Sequence, residues 1–149
     1  SRTLCMTLQK AVHFTEYFRC YVVGQESVHI MPYDPRAPFH ERYVKHPPKY
    51  PAALIDRVRR DALTLCRALG YDLNTVEFAV EDGVPYAIDF MNPAPDAELA
   101  SVGERNHRWI VDNMTDFILK KLKDGWETPE YRWSAMLNPP EQAAKSEKA

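Results

Sequence analysis

The chain has 149 residues, enough to bury one hydrophobic core but not two. Apolar residues make up 45% and charged residues 27%, ordinary globular values that argue against a disordered chain and a membrane class. The formal net charge of −2 supplies no field for gripping a nucleic-acid backbone, while a small anion held by a few local cations stays compatible with it.

Leu4 to Leu8 is a short, mostly apolar run of strand length that ends at Gln9-Lys10. The chain opens at Ser1 and enters this run almost at once, so it reads as a piece of something longer. Phe14 to Val23 alternates with the period of a strand, with Phe14, Phe18, Cys20 and Val22 on one side and Tyr17, Arg19, Tyr21 and Val23 on the other. Gly24 to Ser27 is a turn, and Val28 to Met31 returns as a partner strand, which makes a β-hairpin. From Pro32 to Pro51 the prolines at 32, 35, 38, 47, 48 and 51 predict an extended loop, because proline fixes φ and removes a donor.

Pro51 suits the first turn of a helix whose apolar stripe is Leu54, Val58, Ala62, Leu65 and Leu69, with Gly70 as its stop. A second hairpin follows, Thr75 to Val80 and Val84 to Phe90, around an Asp82-Gly83 turn. Asn92-Pro93-Ala94-Pro95 ends it. His107 to Lys123 has helical spacing at Ile110, Met114, Phe117, Ile118 and Leu122, with Gly125 at its end. The fold class is α+β, an antiparallel sheet with helices packed on one face. Residues 1–125 form the domain and 126–149 a C-terminal extension, whose Trp126, Tyr131 and Trp133 could pack back and whose Lys/Glu/Ala-rich tip predicts disorder.

Cys5, Cys20 and Cys66 are widely spread with no CxxC, which fits reduced, packed thiols in a cytoplasmic protein better than disulfides or zinc. The five histidines lack metal-ligand spacing, and no GxSxG supports nucleophilic hydrolysis. No stretch is long and apolar enough to span a bilayer.

The chemistry concentrates on the second hairpin. Glu77 and Asp89 lie on strands joined by a tight turn, nearly opposite each other and on one face. Like charges across a sheet repel, and burying them among Val76, Phe78, Ile88 and Phe90 demands a compensating cation. A magnesium ion is one solution, with Asn92 adding a neutral oxygen. An arginine paired with Glu77, and Asp89 capping the turn at Asn92-Pro93, is the other.

The segment LCRALGYDLNTVEFAVEDGVPYAIDFMNPAPD resembles the C-terminal core of ATP-grasp ligases. In that family an acidic residue on each strand of this hairpin and a following Asn bind one or two Mg2+ ions that bridge the ATP phosphates. The resemblance implies Glu77, Asp89 and Asn92 as metal ligands, for Mg2+ or Mn2+. Here the acids are exchanged relative to the usual Asp and Glu, and Phe90 and Met91 separate Asp89 from Asn92 where the family has one residue. A bulge would absorb the extra residue.

YFRCYVVGQESVHIM is similar to the family's strand whose arginine faces the phosphates or acyl phosphate, which implies a catalytic and nucleotide-binding role for Arg19. MTLQKAV is similar to the hinge strand along adenine, implying that Leu8, Gln9 and Lys10 read the base edge through their backbone. The resemblance therefore implies the C-terminal lobe of an ATP-dependent carboxylate–amine ligase, with ATP and a small-molecule carboxylate as partners. The N-terminal lobe with its glycine-rich phosphate loop is not in this sequence, so the isolated chain is expected to be inactive while its parent is an enzyme. The competing expectation is a non-catalytic α+β interaction domain, derived from the same fold, that binds no nucleotide and either self-associates as a homodimer or holds a stable partner.

Overall fold

The computed structural model describes residues 8–125, and the run at Leu4 to Thr7, Cys5 and the 126–149 extension lie outside them. Four strands, β1 (Glu16–Val23), β2 (Ser27–Pro32), β3 (Leu73–Glu81) and β4 (Val84–Asn92), form one antiparallel sheet in the order β2-β1-β3-β4. Helix α1 (Ala52–Leu69) connects the two hairpins, while α2 (Leu99–Val102) and α3 (Glu104–Asp124) follow the sheet. The proline-rich connection is extended apart from one turn of 3-10 helix at Phe39–Glu41.

Both hairpins close through residues with positive φ. Asp82 (φ 53°) and Gly83 (φ 73°) make the two-residue turn expected from their sequence, whose twist matches that of the flanking strands. Gly24 (φ 61°) and Gln25 (φ 59°) turn the first hairpin, with the Glu26 N–H donating to Val23 O at 3.2 Å. Helix α1 ends at Gly70 (φ 74°), whose N–H donates to Cys66 O.

Strand alternation divides the chain into two layers of packing. One face, Phe18, Cys20, Val22, Val76, Phe78 and Val80, buries against Val58, Ala62 and Cys66 of α1. Each of the buried Val and Phe side chains contributes roughly 1.5–3 kcal/mol by leaving water. The α+β class and the antiparallel sheet are as expected from the sequence. The helices do not share one face as the sequence led us to expect: the long helix α3 packs on the opposite face from α1, where Tyr21, Val23 and Met31 bury against Ile110. It covers only that end: Tyr17, Tyr33 and Ala79 form a separate cluster with Val12, Phe14, Tyr43 and Ile88. Two α1 arginines fasten the helix to the first hairpin, Arg59 donating to Val28 O at 2.9 Å and Arg67 to Gln25 O at 3.1 Å.

A Cβ at Gly24 would lie 2.8 Å from Phe117 Cδ2, whereas at Gly83 it would meet nothing within 4 Å. Gly83→Ala should cost about 1 kcal/mol of backbone strain, and Gly24→Ala about 1 kcal/mol more as α3 is pushed off the turn. Thermal melts of the two variants measure this; equal shifts would mean that α3 does not bear on the turn.

Candidate functional site

The open half of the α3-side face is built by β1, β3 and β4. Because β1 sits beside β3 with Arg19 opposite Glu77, the guanidinium and the carboxylate share one face, Arg19 Nε lying 3.6 Å from Glu77 Oε1. Two residues earlier on the same strand face, the Tyr17 hydroxyl donates to Glu77 Oε2 at 2.6 Å. Glu77 thus holds one neutral donor and one cation, the compensation that a half-buried carboxylate requires. The arginine alternative read from the sequence holds for this residue.

The register of β3 with β4 explains how Asp89 reaches the same place. From the turn, Phe78 pairs with Ala87; a uniform ladder would then set Glu77 against Ile88, yet Glu77 pairs with Asp89. The irregularity leaves Ile88 and Asp89 together opposite Glu77. Ile88 packs with Tyr17 and Tyr33, while Ala87 and Phe90 pack on the α1 side, so the alternation of side chains breaks between them. Asp89 is exposed and near enough to Tyr17 to act on its phenol. A second shift brings Asn92 opposite Thr75, with Val76 facing both Phe90 and Met91. The extra residue between Asp89 and Asn92 is absorbed by an irregular ladder.

Aromatic rings frame the carboxylates. Tyr17 and Tyr33 lie 6.1 Å apart, Tyr33 and Tyr43 5.1 Å apart, and the Arg19 guanidinium stands 5.6 Å above the Tyr33 ring. Tyr21 donates to Asp96 O, tying the exit of β4 to β1. Burial works against the Arg19 charge, but interactions with Tyr43 and Glu77 outweigh it and raise its pKa. Burial, then the hydrogen bond to Glu77, pushes the Tyr17 phenol well above its usual range. Burial does the same to Tyr21 and to the Cys20 thiol.

The sequence-derived residues meet unequally. Glu77, Asp89 and Arg19 come together on one face, and Asn92 lies further along β4. Leu8, Gln9 and Lys10 are exposed and outside the sheet, so the expected hinge strand does not extend into the described residues: no described strand pairs with them. Tyr17 was missed, although it shares a strand face with Arg19, and so was Asn74, whose buried amide contacts β4 at Phe90 and Asn92.

Glu77, Asp89 and Asn92 are the oxygen-bearing side chains here that could be offered to a divalent ion. Arg19 Nε is buried and has the 3.6 Å ion pair with Glu77 but no closer hydrogen bond among the described residues. No group of three or more His, Cys, Asp and Glu suited to a metal occurs among the described residues. An ion at Glu77 and Asp89 would therefore need oxygens from Asn92, water or a ligand, the pattern of magnesium rather than of an all-protein cage.

This sheet, with its hairpins and flanking helices, is an antiparallel α+β fold that solved structures share. The particular likeness is to D-alanine–D-alanine ligase from Bacillus anthracis. For the ligase complexed with ATP, the TM-score is 0.54 at 20% identity, over 74% of this chain and 40% of the ligase. A second structure of the ligase gives 0.57 at 19% identity, over 78% of this chain and 44% of the ligase. The likeness is one of fold, and the chain spans less than half of the ligase. No protein-family model and no curated protein matches the sequence. No helix among the described residues is long and apolar enough to cross a membrane.

The buried phenols and thiols set an alkaline limit on stability. Their folded pKa values lie above the unfolded ones, so their contribution is complete below about pH 9 to 10 and is lost as the pH rises beyond it. Melting temperature should be flat near neutrality and fall above that range, with a shallower fall for Tyr17→Phe. A profile with the same slope in both proteins would contradict the burial of Tyr17.

Proposed function

We propose that the chain is the ATP- and magnesium-binding lobe of an ATP-grasp ligase, one that activates a carboxylate as an acyl phosphate for attack by an amine or similar nucleophile. The observation that carries this reading is the alignment of Glu77 with Asp89 across an irregular ladder, with Arg19 beside them on the open face. The fold likeness to a ligase complexed with ATP supports the nucleotide part. The other lobe of the cleft would come from sequence beyond this chain, and the carboxylate substrate would bind at that junction.

In this reading Glu77, Asp89 and Asn92 hold magnesium, or manganese in its place, and Arg19 faces the transferred phosphoryl group. Bound magnesium would neutralise the ATP phosphates while ATP supplies the phosphoryl group. Tyr17 keeps Glu77 oriented through the 2.6 Å hydrogen bond, so the carboxylate presents a fixed oxygen rather than a rotating one. Arg19 offsets charge that develops in the transfer, and its raised pKa keeps it charged throughout. Leu8 to Lys10, exposed in this chain, would reach the adenine only when ordered against a nucleotide. The buried free thiols at Cys20 and Cys66 suit a cytoplasmic setting.

Calorimetry of Mg·ATP binding to the full-length parent tests the proposal. Asp89→Asn should weaken binding by about 100-fold, since losing a ligand costs at least as much as losing its outer support. Equal affinity in the two proteins would defeat the assignment.

The second reading, a self-associating interaction domain, draws on α3, whose outer side exposes Val111, Ile118, Leu119 and Leu122. It predicts a concentration-dependent dimer in light scattering that Leu119→Glu abolishes. A monomer at every concentration removes it.

A further inference from the structure

Asn74 is fully buried on the α1 side of β3, and its side chain makes polar contacts that no site residue makes. Its Nδ2 donates to Phe90 O at 2.8 Å and approaches Cys66 Sγ at 3.4 Å, while its Oδ1 accepts the Asn92 N–H at 2.8 Å. The two β4 groups it takes flank Met91, which shares with Phe90 the place opposite Val76 and stands 62% exposed.

We propose that Asn74 is a positioning residue whose amide stands in for the missing rungs of the ladder and thereby sets Asn92 on the face of Glu77 and Asp89. The inference rests on the metal-site reading above and goes beyond it, because Asn74 lies on the opposite side of the sheet and meets Asn92 only through the Asn92 backbone N–H. Opposite Val76 there are two β4 residues, and at this irregularity the Phe90 carbonyl and the Asn92 N–H both bond to the Asn74 side chain. A primary amide offers one acceptor and two donors in the arrangement of a peptide group, and it satisfies both. Valine satisfies neither and leaves two backbone groups unpaired inside the protein, whereas an ionised aspartate lacks the donor for Phe90. Without the amide, β4 relieves the cost by drawing Met91 into the ladder. A one-residue slip carries every later side chain, Asn92 first, to the other face.

The test pairs Asn74→Val with deletion of Met91, which restores one-to-one pairing and makes the amide unnecessary. Hydrogen exchange of the Asn92 amide and Mg·ATP calorimetry are measured on the full-length parent, its Asn74→Val variant and the double variant. Asn74→Val should lose the protection of the Asn92 amide and weaken Mg·ATP binding by about tenfold or more. The double variant should recover both. Should Asn74→Val fail to fold, the double variant still decides: recovery of fold and affinity supports the role, and failure to recover either overturns it. Undiminished protection and affinity in Asn74→Val also overturn it. A wild-type protein that does not bind Mg·ATP sinks the metal-site reading itself, whereas normal wild-type binding with an unaffected Asn74→Val removes only the role of Asn74.

Discussion

Two carboxylates set opposite each other on neighbouring strands repel, and the sheet must answer that repulsion wherever it places them. Glu77 and Asp89 are opposed only because β4 carries an extra residue beside Ile88; a uniform ladder would have separated them. The sheet order then matters as much as the irregularity. With β1 next to β3, Arg19 and Tyr17 both reach Glu77, so one of the two carboxylates is anchored and partly neutralised. Asp89 remains exposed at the rim. The charge that is left over is what an incoming cation would meet.

The two faces of the sheet divide the work. On the α1 side, Phe18, Phe78 and the valines around them form a dry core that fixes the strands relative to one another. On the other side α3 covers only the Tyr21 and Val23 end, while the proline-rich connection folds over the Tyr17 end. That connection is held by a few contacts. Tyr33 N–H donates to Tyr17 O at 2.9 Å, Arg42 donates to Ala37 O at 3.2 Å, and the Tyr43 ring meets that of Tyr33. The sheet beneath and this connection above leave Arg19 and Glu77 between them, each mostly shielded from water.

Much of this was legible in the sequence because its signals are local. The Asp82-Gly83 turn, the stripe of α1 with Gly70 behind it and the alternation of β1 each follow from a few neighbouring residues, and each stands where its pattern put it. The pairing of β1 with β3 was not readable, since it joins strands separated by a helix and a long connection, and no residue spacing encodes it. Nothing local therefore singles out Arg19 as the arginine that pairs with Glu77. The role of Asn74 was hidden for a different reason. A buried asparagine looks like any polar residue at the start of a strand until the irregularity at Met91 shows which backbone groups need it.

Anomalous diffraction from crystals of the full-length parent grown with Mn2+ and a non-hydrolysable ATP analogue locates any bound ion directly. The account predicts a manganese peak between the carboxylates of Glu77 and Asp89, with the Asn92 side chain turned toward it. A nucleotide bound with its ion elsewhere, or Glu77 still engaged only by Arg19 and Tyr17 while Asp89 faces solvent, would contradict it.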